Sequence, residues 1–269
     1  MRTMFRDITL GQYYPADSVL HRLDPRVKLM GTLVYIIALF VANNPIAILF
    51  ITLCLIAVIR LSKVPFSFMV RGLKGIVVLL VVAGVFNLLL TPGETIFSFG
   101  IIKISDQGLK NAALMTVRMI YLIIGTSLMT LTTTPNQLTD GLERGLGFLT
   151  KVNVPVHEIA MMMSIALRFI PILIDETDKI MKAQMARGAC FDSGSVIDRA
   201  KAMVPLLVPL FVSAFRRAND LALAMEARCY NGGEGRTKMK PLHYERRDAI
   251  AYIGLFLFLA AVIVMGVIL

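Results

Sequence analysis

Two arginines in this chain stand in matching surroundings, Met185-Ala186-Arg187-Gly188 and Glu226-Ala227-Arg228-Cys229, forty-one positions apart. Each Ala-Arg dipeptide falls near the end of a long amphipathic segment, 155–187 in one case and 196–228 in the other. A cation at a helix C-terminus is favoured by the helix dipole, by under about 1 kcal/mol at an exposed site. That alone would account for either arginine. A matched pair asks for more, because a guanidinium is a planar fork that grips carboxylates or carbonyls on a partner. Two copies in one Ala-Arg context predict docking to something that itself presents two equivalent sites.

Little else in the chain is equipped for chemistry. Cys54, Cys190 and Cys229 are isolated, with no CxxC spacing, and His21, His157 and His243 are scattered. Neither disulfides nor a metal site is expected, and no cofactor of the chain's own. A phosphate-binding GxxxxGK[ST] loop is lacking; Gly232-Gly233-Glu234-Gly235-Arg236 is a poor imitation with no strand before it. Ala186-Arg187 with Gly194 and Asp198 faintly resembles the CDP-alcohol phosphotransferase signature. That signature needs Asp-Gly upstream, where Lys182-Ala183 stand, and a further acid at position 202, which is alanine. A self-contained ion-coupled transporter is the other alternative, and it would carry ionisable groups at mid-membrane. Arg118 sits inside the fourth apolar stretch, and no acid in those stretches is available to pair with it.

These residues are held by an apolar framework. Of 269 residues, 57% are hydrophobic and 17% charged, with mean hydropathy +0.72, which is the profile of an all-α polytopic membrane protein. The net charge of +10 does not point to nucleic acid, because the cations lie between and beside apolar stretches, where lipid headgroups and topology account for them. No secretory signal peptide is expected from the first residues, which hold Arg2, Arg6, Arg22, Arg26 and Lys28 and no long apolar run. Five stretches read as membrane spans: 29–43, 45–59, 73–90, 110–131 and 249–269. The first two are short for a bilayer core of roughly 30 Å and are joined only by Asn43-Asn44-Pro45, so a tight hairpin is expected there.

Lysine and arginine set the expected orientation. Five precede the first span, and Arg60, Lys63, Arg71 and Lys74 separate the second from the third. Segment 91–110 carries only Lys103 and Lys110, whereas 132–248 carries sixteen. The positive-inside rule puts the N-terminus and 132–248 in the cytoplasm and the C-terminus outside. The expected organisation is a membrane region of four spans over 1–131, cytoplasmic coupling helices over 132–248, and a last span over 249–269.

Within 132–248, segment 155–187 reads as one helix with a bend expected at Pro171. Its apolar stripe is Met163, Leu167, Ile170, Ile174, Thr177, Met181 and Met185, and its polar side offers the i,i+4 pairs Asp175–Lys179 and Asp178–Lys182. The second helix carries the stripe Val204, Leu207, Phe211, Phe215, Ala218, Ala222 and Met225. Segment 202–215 is apolar but short and interrupted by Pro205 and Pro209, so a buried or interfacial helix is expected rather than a span. Ordinary core packing is the expectation for most stripe residues. The methionines at 161–163 are soft enough to accept more than one partner.

At these residues the chain resembles the transmembrane T component of energy-coupling factor transporters. The likeness runs through His21-Arg22-Leu23-Asp24-Pro25-Arg26-Val27-Lys28, Leu131-Thr132-Thr133-Thr134-Pro135 and Pro155-Val156-His157-Glu158. It continues through Leu167-Arg168-Phe169-Ile170-Pro171, Glu176-Thr177-Asp178-Lys179 and the two Ala-Arg motifs. The resemblance implies a non-catalytic scaffold in the cell membrane that joins two cytoplasmic ABC-type ATPases, which bind the ATP, to one small, interchangeable S component carrying a vitamin. It implies ATPase docking by Ala186, Arg187, Gly188, Ala227, Arg228 and Cys229, with Cys229 departing from the glycine of the family motif. Met162, Met163, Phe169, Leu207 and Phe211 are the expected contacts to the S component. The likeness is to the shared, vitamin-serving T components rather than to dedicated cobalt or nickel systems.

Overall fold

The computed structural model describes residues 13–90, 95–99, 102–189, 191, 195–232, 239 and 241–268. Arg2, Arg6, Cys190, Gly194 and 233–236 lie outside them. The helices are α1 (Pro25–Val41), α2 (Pro45–Ser62), α3 (Phe66–Lys74), α4 (Val77–Leu90), α5 (Asp106–Thr132), α6 (Pro135–Gly145), α7 (Val156–Ala186), α8 (Val196–Glu226) and α9 (Arg246–Ile268). One antiparallel hairpin, β1 (Thr95–Phe99) and β2 (Ile102–Ser105), precedes α5, and a 3-10 helix, Gly147–Val152, precedes α7. The all-α architecture expected from composition holds, with the hairpin as an addition that the apolar pattern of 91–105 concealed. The chain divides into two compact units, a larger one of Gly11–Arg144 with Leu242–Leu269 and a smaller one that includes Gly145–Pro241.

In the larger unit the helix starts are specified locally. Asp24 accepts the Arg26 N–H at 2.9 Å, and Pro25 supplies a pre-set φ at the first position of α1. Pro45 does the same for α2, while the Asn44 amide donates to the Met265 carbonyl of α9 at 3.3 Å instead of capping its own helix. Ser105 caps α5 through the Gly108 N–H at 2.9 Å. Thr134 and Gln137 satisfy each other's backbone N–H at the start of α6, a reciprocal capping box.

Two apolar layers hold these helices together. Ala38, Leu39, Ala42, Ala47, Ile51 and Val262 close α1, α2 and α9. Leu55, Val64, Met69, Ile124, Leu128 and Leu131 close α2, α3 and α5. Tyr35 borders both layers and lies flat on α5 at Gly125, where any Cβ would overlap its ring. Its hydroxyl donates to the Tyr121 carbonyl at 3.0 Å, and the Tyr121 and Thr52 hydroxyls are bonded at 2.8 Å. Polar groups within the apolar layers are thereby paired across three helices.

Four of the expected spans correspond to α1, α2, α5 and α9. The third, 73–90, is broken by Gly75 and Ile76 between α3 and α4, and the 14 residues of α4 reach about 21 Å. By length and composition, α2, α5, α7 and α9 are each apolar and long enough to cross a membrane. The presence of α7 in that set is a finding, since charge bias assigns its sequence to the cytoplasmic side. Val78 and Phe256, each 74% exposed, mark outward faces of α4 and α9 that suit lipid rather than water. This is a multi-pass membrane protein.

The smaller unit is an antiparallel pair, α7 and α8, each of 31 residues. The ion pair between Arg217 and Glu176 at 2.8 Å and the hydrogen bond from Gln184 to the Pro205 carbonyl at 3.2 Å fix the opposed directions. Proline 171 lies inside α7, and prolines 205 and 209 inside α8. Pro209 has no N–H to give the Pro205 carbonyl, and the Gln184 side chain supplies the missing donor. The pairs Asp175–Lys179 and Asp178–Lys182 do not close. Glu176 finds Arg217 on the neighbouring helix instead, a geometry that repays side-chain ordering better than an exposed pair on one helix.

Candidate docking ends of the two long helices

The two Ala-Arg motifs end their helices in the same way, bond for bond. At the end of α7, the Gly188 N–H donates to Met185 O at 3.0 Å and the Ala189 N–H to Gln184 O at 3.0 Å. At the end of α8, the Cys229 N–H donates to Glu226 O at 2.8 Å and the Tyr230 N–H to Met225 O at 3.0 Å. Both are Schellman turns, which return the last carbonyls to partners and need a left-handed residue just past the helix. Gly188 takes that role with φ +88°, and Cys229 takes it with φ +56°. Replacing glycine with cysteine therefore leaves the turn intact. Arg187 and Arg228 each occupy the position before the left-handed residue, are exposed, and have no side-chain partner among the described residues.

Placement is matched as well as conformation. Arg187 lies eleven residues beyond Glu176, and Arg228 eleven beyond Arg217, the two members of the interhelical ion pair. At 1.5 Å per residue each guanidinium stands about 16 Å from that bridge along its own helix. The helices run in opposite directions, so the two arginines lie at opposite ends of the pair. The Glu176–Arg217 bridge thus stands midway between the two motifs, eleven residues from each arginine. It could not be read from sequence, because the spacing rule for one helix says nothing about a partner forty-one positions away.

The apolar residues expected to meet a second partner are mostly uncovered. Met162 is 57% exposed, Met163 42%, Leu207 49% and Phe211 60%, with Phe169 half-buried. The expectation of core packing for the α8 stripe is corrected here. Val204, Leu207, Phe211, Phe215, Ala218 and Ala222 are exposed, and only Met225 is half-buried. The half-buried side of α8 is a different one, carrying Leu206, Leu210, Ser213, Leu221 and Arg217, the last paired with Glu176 of α7. A helix apolar on two faces gives a periodic signal that does not say which face is the inner one. On α7, Leu167, Ile174, Met181 and Met185 are half-buried as the stripe predicts.

Other motif residues serve the larger unit. The His21 ring lies between the Ser18 hydroxyl at 2.6 Å and the Tyr14 carbonyl at 3.0 Å, and burial pushes its pKa below the usual range. Arg118 donates to Ala42 O at 2.8 Å and to Asn43 Oδ1 at 3.1 Å, and stands over the Phe40 ring. It therefore caps the Ala42 carbonyl just past the end of α1, and this cation has partners without an acid.

The chain matches the CbiQ family, described as cobalt transport protein, over residues 16–239. It is 53% identical over 250 residues to the energy-coupling factor transporter transmembrane protein EcfT of Clostridium kluyveri, covering 92% of this chain and 93% of that one. With the EcfT of Ruminiclostridium cellulolyticum it shares 50% identity over 262 residues, 97% of this chain and 98% of the other. With that of Bacillus subtilis the figures are 49% over 258 residues, 96% and 97%. The likeness spans both Ala-Arg helix ends and the apolar framework, and the chain accordingly belongs to the CbiQ family, among the transmembrane subunits of energy-coupling factor transporters.

Proposed function

We propose that this chain is the non-catalytic scaffold of an energy-coupling factor importer, joining two cytoplasmic ABC-type ATPases to one small membrane S component that carries the vitamin. The observation that supports it most is the pair of helix ends with identical hydrogen bonding, set symmetrically about the Glu176–Arg217 bridge. Each end offers an unpartnered guanidinium on a rigid turn, and the pair suits a partner with two like grooves. ATP is bound and hydrolysed by the ATPases. The N-terminus and segment 132–248 face the cytoplasm and the C-terminus lies outside. Met162, Met163, Phe169, Leu207 and Phe211 form the platform for the S component, which is interchangeable because methionines repack without polar demands.

Purification of the co-expressed complex tests this. Losing one partner of a desolvated, charge-assisted contact costs about 2–5 kcal/mol. The double substitution Arg187→Glu with Arg228→Glu should release the ATPases while the chain still inserts in the membrane, and Arg→Lys should rescue poorly because the planar fork is lost. Met163→Asp should instead lose the S component and keep the ATPases. A doubly substituted chain that retains stoichiometric ATPases and normal ATP-driven uptake would return both arginines to simple helix capping.

A further inference from the structure

Arg118 of α5 is held by the tip of the α1–α2 hairpin and by nothing of opposite charge. Its Nη2 donates to the Ala42 carbonyl and to Asn43 Oδ1, and its guanidinium stands 5.8 Å from the centre of the Phe40 ring. An arginine side chain carries five N–H donors, and two are spent here. Among the described residues, Nε and Nη1 have no partner and no carboxylate pairs with Arg118. The opposite end of the same helices is built differently. There Arg26 pairs with Asp24 at 3.3 Å, and Asp248 accepts the Asp24 N–H at 2.9 Å. A cation among apolar helices ordinarily has such an acid nearby.

Asn43 adds a second donor at the same place. Arginine can only donate, so Asn43 turns its amide oxygen to Arg118. The NH2 on the other arm of that amide is left to donate elsewhere, and Asn43 is exposed. Both donors stand where α1 gives way to α2. The turn of a membrane hairpin lies at the headgroup layer, although α5 itself begins twelve residues before Arg118, at Asp106. From the tip an apolar stripe runs back along α1. Phe40, Ile37, Leu33 and Met30 are 58%, 45%, 52% and 51% exposed and follow one another at steps of three and four. They cover about 15 Å of outward surface. Charged donors at the head of an apolar stripe match the layout of a phospholipid, with its phosphate at one end and its acyl chain below.

We propose that Arg118 and Asn43 bind the phosphate of an anionic phospholipid, whose acyl chain lies along Phe40, Ile37, Leu33 and Met30. The phosphate supplies the negative charge that the protein itself does not place there. Hydrogen bonds from a guanidinium to a phosphate oxygen are charge-assisted and stronger than neutral ones. A lipid of net negative charge is favoured, because a zwitterionic headgroup brings its own cation to the phosphate. One headgroup then touches both α5 and the hairpin tip and ties them together. The site lies within the larger unit and does not depend on how ATPases dock.

The test takes the whole chain with its co-expressed partners, delipidated in mild detergent, and titrates it with phosphatidylglycerol while native mass spectrometry counts the bound lipids. The parent should hold one lipid more tightly than the rest. Asn43→Asp keeps an acceptor for Arg118 but brings an acid to the site and removes the NH2. Its tight lipid should weaken by about ten-fold or more. Arg118→Met should lose that lipid as well, and inorganic phosphate added to the parent should leave it in place. A parent with no such lipid, or a tight lipid unchanged in either variant, would overturn the proposal. Displacement by inorganic phosphate would also overturn it, by making this a site for the free anion. Loss of the S component from Arg118→Met with lipid occupancy unchanged would overturn it in favour of a protein carboxylate. Should Arg118→Met not accumulate, Asn43→Asp decides alone, since it leaves the hairpin tip bonded to α5.

Discussion

Cys229 holds a backbone conformation that the matching motif assigns to glycine, and the turn closes all the same. A side chain in the left-handed region costs roughly 1–2 kcal/mol, so the end of α8 carries strain that the end of α7 does not. Cys229→Gly should relieve about 1 kcal/mol, and Gly188→Ala should cost about as much. Hydrogen exchange at the Tyr230 and Ala189 amides reads both changes, and faster exchange at Tyr230 in Cys229→Gly would contradict the assignment. In the sequence, Gly188 after a long periodic segment is a legible stop, whereas nothing in the word cysteine announces a left-handed cap. The same limit hid Glu176 and Asp248. Their partners lie forty-one and 224 positions away, and no local rule connects them.

Among the elements, the pairing of α1 with α5 depends on one missing methyl group. Gly125 lets the Tyr35 ring lie against the α5 backbone, and Tyr35 then reaches the Tyr121 carbonyl with its hydroxyl. Gly125→Ala should cost about 1–3 kcal/mol through overpacking. Tyr35→Phe, which keeps the ring and removes one hydrogen bond, should cost about 0.6 kcal/mol. Thermal unfolding in detergent separates them, and a Gly125→Ala protein as stable as the parent would show that α1 can shift at no cost. Length and apolarity made α1, α2, α5 and α9 readable in advance. The third stretch reads as one helix in sequence because Gly75 ends a helix without lowering the apolar average. The inner face of α8 is hidden in sequence because both of its faces are apolar.

At the scale of the molecule, α7 is long and apolar enough to cross a membrane, which sets its length against its charge. The sixteen cations of 132–248 argue that it stays on one side. Single cysteines at Val152, just before α7, and at Arg187, just past it, should then both be labelled from the cytoplasm in inside-out vesicles and neither from outside. Labelling of the two from opposite sides would make α7 a span and place the two Ala-Arg ends on different sides. The expected result leaves the two ends free to meet one partner, and their equal spacing from the Glu176–Arg217 bridge bears on how that partner sits. A truly symmetric dimer would fit this chain in either of two poses of equal energy, a degeneracy of RT ln 2, about 0.4 kcal/mol. The residues that differ between the motifs, Met185 against Glu226, Gly188 against Cys229 and Ala189 against Tyr230, tell the poses apart. The chain thus carries a polarity mark a few residues in size, beside two arginines that offer a partner the same grip at either end.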